Sequence, residues 1–138
     1  MQYWLVKTEP GTWSWDDQVK AGSTHWDGVR NHQAANNMRA MKKGDRCFFY
    51  HSVSEKQVVG IVKVSRTFYP DPADDSGKFG MVDVTAVRPM KTPVTLAQIK
   101  AEPGLSEMVL VKNSRLSVQP VTAEEWTQVC AMGGVPKG

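Results

Sequence analysis

Apolar runs separated by turn-forming residues divide the chain into short segments, and several of these runs have the pattern of β-strands. Residues 3–8 (YWLVKT) are mostly apolar and stop at the sequence EPG, which predicts a short buried strand. Residues 46–52 and 58–69 predict two further strands, and residues 81–89 alternate between apolar and polar positions. Residues 109–121 have strand character at both ends, with a polar interruption between them. We therefore expect five or six strands.

Four other segments begin with a residue that caps helices. Ser14 precedes a short helix that ends near Gly22, and Asn31 precedes a longer one that we expect to close at Gly44. The other two helices begin at capping boxes, which pair Thr95 with Gln98 and Thr122 with Glu125. Within the helix after Asn31, a narrow apolar stripe predicts the face that packs on the core, and it consists of Ala34, Met38 and Met41.

The predicted strands are mostly consecutive and rich in valine, with 18 Val against 5 Leu and 2 Ile. β-branched side chains fit a pleated sheet better than a helix, so the core is expected to be a sheet. These observations predict an α+β, β-dominated fold. Its expected form is a small antiparallel or mixed β-barrel of five or six strands with three or four peripheral short helices. Residues 1–138 are expected to form a single domain, since this length is ordinary for one.

Composition and charge narrow the classes of protein only slightly. A charged fraction of 22% and an apolar fraction of 41% are typical of a globular protein. The net charge of +3 and the pI of about 8.9 permit a polyanionic partner without requiring one. Two isolated cysteines and the absence of a signal-peptide or membrane-span pattern indicate a cytoplasmic protein with free thiols. We expect a monomer that does not bind membranes.

Catalytic and metal-binding signatures are missing from the sequence. It has no nucleophile elbow, phosphate-binding loop, dinucleotide fingerprint or zinc-protease motif. Neither the three histidines nor the two cysteines have the spacing of zinc ligands, and Cys47 falls in a predicted buried strand. No catalytic residue, metal or cofactor is therefore predicted. One enzymatic alternative remains open, a nucleotide-processing site in which Lys7, Glu9 and His51 converge.

The sequence from residue 26 to residue 37, WDGVRNHQAANN, has the character of a binding site. It combines one large aromatic ring with neutral donors and acceptors of hydrogen bonds. Recognition of an extruded nucleobase needs both, because the base stacks on a flat face and is hydrogen-bonded along its edge. Two residues in this stretch also have ordinary alternatives: Trp26 as a core residue, and Asn31 as a helix cap.

Basic residues that could bind a phosphate backbone follow this stretch directly in the sequence. Four of them fall within eight residues, with Asp45 as the only acid among them, and Arg115 is a further candidate. The predicted phosphate-binding rim consists of Arg39, Lys42, Lys43, Arg46 and Arg115. A basic cluster at the end of a helix also simply favours the helix dipole, and this alternative applies above all to the two lysines.

Several motifs together resemble the EVE domain, a branch of the PUA-like superfamily. They are YWLVKTEP, WDGVRNHQAANNMRAMKKGD, FFYHS, YPD and SRLSVQPV, in this order along nearly the whole chain. The chain is also similar to the thymocyte nuclear protein family of eukaryotes. The resemblance implies a PUA-like β-barrel with a pocket on one face, and a relation to the YTH domains that bind methylated adenine in RNA.

The resemblance further implies that the protein is a non-enzymatic reader of a modified base. The expected ligands are 5-methylcytosine and 5-hydroxymethylcytosine, with DNA favoured over RNA. The residues carried over to the pocket are Lys7, Thr8, Trp26, Val29, Arg30, Asn31, Tyr50, His51, Ser117 and Gln119. The chain departs from the pattern at Thr8, where relatives often have Ser, and at the loop 70–80, which is shorter than in many relatives. An RNA-binding module without base preference remains the third reading, beside the reader and the enzyme.

Overall fold

The computed structural model describes residues 1–113 and 115–137, and the strands of this part of the chain form one sheet. The strands are β1 (Tyr3–Thr8), β2 (Ser23–Trp26), β3 (Arg46–His51), β4 (Gln57–Pro70), β5 (Gly80–Thr95) and β6 (Val118–Val121). The helices are α1 (Trp15–Ala21), α2 (His32–Ala40), α3 (Leu96–Ala101), α4 (Val109–Lys112) and α5 (Ala123–Met132), with a 3₁₀ turn at Pro103–Leu105. The predicted α+β, β-dominated class is confirmed.

The strand order is β2-β5-β4-β3-β1-β6, so β2 and β6 are the two edges of the sheet. Neighbouring strands are antiparallel except for β1 and β3, which are parallel. The hydrogen-bonded ladder of the described strands therefore does not close, whereas the sequence predicted a small β-barrel. All six strands nevertheless place residues in one apolar cluster with α2, which requires the sheet to curl around that helix.

Apolar side chains cover both faces of the sheet. Trp4 and Val6 of β1 point into the cluster that contains α2. Leu5 points into a second cluster with Ile99 of α3 and Trp126 of α5. Because successive side chains of a strand alternate between faces, a strand covered on both sides has an uninterrupted apolar run. The run in β1 has this origin.

The helix caps predicted from the sequence are present. The side chains of Ser14 and Asn31 accept hydrogen bonds at the starts of α1 and α2, and Thr95 and Thr122 form the two capping boxes. The predicted stripe of α2 is also buried. However, α2 ends at Ala40 and not at Gly44, and the chain then turns, with the backbone N–H of Lys42 bonded to the Asp45 carboxylate.

Two other elements differ from the prediction. Residues 109–112 form the short helix α4, although the sequence predicted a strand there. The helical turn buries Leu110 in the second cluster. Such tertiary packing overrides the preference of valine for strands. Strand β2 was not predicted, because only Trp26 of its four residues is buried and four residues give little periodicity.

Candidate functional site

A cavity of about 370 Å³ opens between the end of β1, the loop from β1 to α1, and β2. Its volume lies near the lower end of the range of about 300–1,000 Å³ that is typical of small-molecule sites. The residues that line it are Lys7, Thr8, Thr12, Trp13, Thr24, His25, Trp26 and Asp27. Two indoles, two ionisable groups of opposite sign, a histidine and three hydroxyls thus surround one space.

The loop after β1 forms one wall of the cavity. The carbonyl of Glu9 accepts hydrogen bonds from the backbone N–H groups of Thr12 and Trp13, which closes a tight turn. The hydroxyl of Thr8 donates a 3.0 Å hydrogen bond to the carbonyl of Trp13. Because this hydroxyl has used its proton, it faces the cavity as an acceptor. The turn thereby brings the Trp13 ring next to the end of β1.

A buried glutamine fixes the orientation of Trp13. The Oε1 atom of Gln18 accepts a 3.0 Å hydrogen bond from the indole N–H of Trp13, and its amide donates to the carbonyl of Gly22. Gln18 is fully buried in α1 and also lies 3.5 Å from the carbonyl of Val84 in β5. The loop, the first helix and the sheet are therefore joined through this one side chain.

Trp26 lies at the boundary between the core and the cavity. Its side chain is only 8% exposed and packs edge-to-face on Phe49, with ring centroids 5.6 Å apart. It also lines the cavity. Trp26 is therefore a core residue that also borders the cavity, and its contact with Phe49 holds the ring in place.

Lys7 supplies a cation to the cavity. Its ammonium lies 5.6 Å from the centroid of the Tyr50 ring, and partial burial lowers the pKa of Lys7 from its ordinary value. Burial also raises the pKa of Tyr50 to about 12, so the phenol keeps its proton at neutral pH. Tyr50 itself is buried in the second cluster. It supports Lys7 and does not belong to the lining residues.

His25 is held at the cavity by two neighbours. Its Nδ1 atom lies 3.0 Å from a carboxylate oxygen of Asp83 and 2.8 Å from the hydroxyl of Tyr69. Burial raises the pKa of Asp83, but hydrogen bonds from Tyr69 and His25 outweigh it, and the net shift is downward. With an ionised carboxylate as its partner, Nδ1 is the protonated nitrogen of the ring.

Three predicted pocket residues lie in the segment after Trp26 and not among the lining residues. Val29 is buried in the cluster with α2. Asn31 caps α2, since its side chain accepts a hydrogen bond from the N–H of Ala34. Arg30 forms an ion pair with Asp71 at 3.2 Å. These residues fix the path of the chain that leaves the cavity.

The remaining predicted pocket residues also lie outside the lining of the cavity. His51 is almost fully buried, with Nε2 accepting from the N–H of Trp15 and Nδ1 bonded to Glu55. The carbonyl of Ser117 accepts from the N–H of Lys7. Gln119 is fully buried and donates to the carbonyls of Asn113 and Leu116. The lining therefore includes only Lys7, Thr8 and Trp26 of the predicted set.

The residues of the predicted phosphate-binding rim do not line the cavity. Arg39 lies 4.7 Å from the Phe68 ring centroid, where it donates to Asn36 and to the carbonyl of Lys78. Arg46 pairs with Tyr3 at the start of β1, about 16 Å along the strand from Thr8 at a rise of about 3.3 Å per residue. The turn with Lys42 and Lys43 directly precedes it, and Arg115 is exposed in the segment before β6.

Five lining residues were not predicted from the sequence: Thr12, Trp13, Thr24, His25 and Asp27. One signal for Trp13 exists, since a large aromatic residue follows a Pro-Gly turn and belongs to no predicted strand. His25 and Asp27 flank Trp26 directly in the sequence. Their position next to a candidate pocket residue could have identified them as further candidates. Within residues 1–113 and 115–137, no group of three or more His, Cys, Asp or Glu side chains is placed to hold a metal ion.

The open curled sheet around α2, with its aromatic and polar cavity, is consistent with the PUA-like fold that the resemblance implies. The chain belongs to the EVE domain family, whose model matches residues 2–132. Human thymocyte nuclear protein 1 is 38% identical over 94% of this chain and 73% of its own length. No helix in the described part of the chain is long and apolar enough to cross a membrane.

Solved structures extend the comparison. The NMR structure of Rpa0253 from Rhodopseudomonas palustris has a TM-score of 0.93 at 60% identity, covering 97% of this chain and 94% of that one. A crystal structure of human THYN1 in complex with 5-methylcytosine-containing DNA has a TM-score of 0.87 at 36% identity and covers 99% of both chains. The YTH domain of Zygosaccharomyces rouxii MRB1 has a TM-score of 0.59 at 16% identity, with 98% of this chain and 88% of that chain covered, a likeness of fold alone.

Proposed function

We propose that this chain binds DNA that carries a modified cytosine, with 5-methylcytosine as the first candidate, and that the modified base enters the cavity beside Trp26. The observation that carries the proposal is the likeness, over 99% of both chains, to human THYN1 in complex with 5-methylcytosine-containing DNA. The cavity between Trp13 and Trp26 supports it independently, because an extruded base needs flat apolar faces on which to stack.

The polar lining suits the edge of cytosine. Cytosine offers an exocyclic amino group that donates hydrogen bonds, and a carboxylate is its usual protein partner. Asp27 is the carboxylate in the lining, and Lys7 is the donor that would serve the acceptors on the same base edge. The hydroxyl of Thr8 adds a further acceptor. The indole rings supply the apolar surface for the base and its C5 substituent.

The predicted residues outside the lining have indirect roles in this proposal. Tyr50 supports the Lys7 ammonium, and Ser117 bonds to the backbone of Lys7. Val29, Arg30 and Asn31 hold the segment after the Trp26 strand in place. Mutation of these residues is therefore expected to alter binding through the position of the lining, and not through a lost contact with the base.

We propose binding without catalysis. The enzymatic alternative required Lys7, Glu9 and His51 to converge, and of these only Lys7 lines the cavity. Both ring nitrogens of His51 have protein partners, which leaves no nitrogen for acid–base chemistry. The cytoplasmic location that the sequence predicts is kept as part of this proposal.

A direct titration tests the proposal. Duplex DNA of one sequence is prepared with cytosine, 5-methylcytosine or 5-hydroxymethylcytosine at a single position, and the matching RNA is prepared with cytosine and 5-methylcytosine. We expect tighter binding to the modified DNA duplexes than to the plain one at the same salt concentration. Equal affinity for plain and modified DNA would refute base recognition, and a preference for the RNA series would refute DNA as the ligand.

A further inference from the structure

A second cluster of polar and aromatic side chains lies next to the cavity, on strands β2, β4 and β5. Its members are His25, Arg66, Tyr69 and Asp83. The His25 side chain is 65% exposed, and Arg66 is exposed as well. His25 also lines the cavity. The cluster and the cavity mouth thus share a residue.

Tyr69 is fixed at the centre of this cluster. Its hydroxyl donates to the carboxylate of Asp83 and lies 2.8 Å from Nδ1 of His25. Burial, followed by the bond to Asp83 and its charge, raises the pKa of Tyr69 to about 12, so the phenol remains a donor. The ring of His25 packs edge-on to the Tyr69 ring at 6.4 Å.

The Arg66 guanidinium lies on the face of this ring, with Cζ 3.6 Å from the centroid. Stacking restricts the long side chain before any ligand arrives, and the planar fork of N–H donors suits a phosphate group. Asp83 lies opposite Arg66 on the neighbouring strand, but the carboxylate of Asp83 forms its ion pair with His25. The cluster therefore presents a preorganised cation at an exposed surface.

We propose that Arg66, with His25 beside it, contacts a backbone phosphate that flanks the base held in the cavity. This inference rests on the proposed function. An extruded nucleotide stays joined to its strand on both sides, so the flanking phosphates must pass the mouth of the cavity. Arg66 is linked to the cavity through Tyr69 and His25, whereas Lys42, Lys43 and Arg46 lie at the far end of β3.

An ordinary structural role competes with this proposal. Charged residues near an edge strand discourage pairing with another sheet, and opposite charges across two strands stabilise them. A residue with this role alone affects the stability of the fold. It does not affect the salt dependence of DNA binding, because that dependence counts the phosphates that the protein neutralises.

The test measures DNA affinity as a function of salt for the intact chain and its Arg66→Gln variant, with plain and 5-methylcytosine duplexes. We expect the variant to lower affinity for both duplexes by the same factor, about three- to tenfold, and to reduce the slope of log K against log salt by about 0.9. Arg66→Lys should keep the slope. Lys100→Gln, which removes one charge from the end of α3, should match the unchanged chain.

The two claims have separate readouts. If the slope of log K against log salt is the same for Arg66→Gln and Lys100→Gln, the phosphate contact is refuted, even if the preference for 5-methylcytosine persists. A reduced slope without any such preference would support the contact and refute the proposed base recognition. Thermal melting checks that each variant folds, and Arg66→Thr repeats the test with a side chain that suits an exposed strand position.

Discussion

The indole N–H of Trp13 donates a 3.0 Å hydrogen bond to the side-chain oxygen of Gln18, five residues later in the chain. Trp13 lines the cavity, whereas Gln18 is fully buried and bonds in turn to the carbonyl of Gly22. The wall of the cavity is thus attached to the protein interior by a neutral amide. This arrangement holds the ring against rotation without placing a charge behind it.

Replacement of Gln18 by Met should therefore affect both stability and binding. Methionine has a similar length but leaves the Trp13 N–H without its partner, while the Gly22 carbonyl keeps its bond from the N–H of Ala86. We expect a cost of about 1–3 kcal/mol in the free energy of unfolding. We also expect weaker discrimination between modified and plain DNA, since the indole is no longer fixed. Denaturant unfolding and DNA titration measure the two effects. Gln33→Met, at an exposed site in α2, is the control, and equal stability of both variants would contradict the role of Gln18.

Local signals explain why the helix starts were predictable from the sequence. A cap such as Asn31 bonds to a backbone N–H three residues away, and Thr95 and Thr122 do the same within their capping boxes. All partners of such a bond lie in one short window of sequence. The apolar runs within β1 and β3 were likewise visible, because the part of a strand that is covered on both faces has an uninterrupted apolar sequence.

The contacts around His25 and the position of Arg46 were not predictable, because they depend on residues that are distant in the sequence. His25 meets Asp83 across 58 positions, and Tyr69 joins them from a third strand. No window around residue 25 contains this information. In the same way, the distance of Arg46 from the cavity follows from the parallel register of β1 and β3, whereas in the sequence it stands close to the predicted pocket.

Truncation of Trp13 tests whether the loop wall of the cavity contacts the base. Trp13→Ala should weaken binding of 5-methylcytosine DNA by about 1–3 kcal/mol if the ring stacks on the base. Trp13→Phe is the matched control, because it keeps an aromatic face and loses only the bond to Gln18. Its affinity should lie between those of the other two proteins. An unchanged affinity in Trp13→Ala would exclude stacking at this position.

The packing of α1 on β4 depends on the absence of a side chain at Gly60. A Cβ atom there would lie 2.5 Å from the indole of Trp15, which packs edge-on to Phe49. We expect Gly60→Ala to reduce the free energy of unfolding by about 1–3 kcal/mol through this overlap. Gly11→Ala is the control, since nothing lies within 4 Å of its Cβ position. Equal denaturation midpoints for both variants would show that Trp15 moves aside without cost.

The carboxylate of Asp71 makes the segment after Trp26 sensitive to acid. Its oxygens accept hydrogen bonds from the N–H groups of Ala73 and Gly28 at 2.9 and 3.1 Å, and Arg30 lies at 3.2 Å. The bonds from Ala73 and Gly28 lower the pKa of Asp71 most, and the hydrogen bond and charge of Arg30 lower it further, whereas burial opposes the shift. A lowered folded-state pKa means that this stabilisation is complete above the unfolded value of about 3.9 and is lost as the pH falls through the folded value.

Asp71→Asn should therefore be less stable than the unchanged chain at neutral pH, by about 1–3 kcal/mol, because its amide nitrogen would face a donor in either orientation, the N–H of Ala73 or the N–H groups of Gly28 and Arg30. The difference in unfolding free energy should shrink as the pH falls below about 4. Denaturant titrations between neutral and acidic pH measure it. Asp75→Asn, at an exposed site of the same loop, is the control and should follow the unchanged chain at every pH. A constant difference between Asp71→Asn and the unchanged chain down to the lowest pH would show that the loop is held by its packing and not by the charge of this carboxylate.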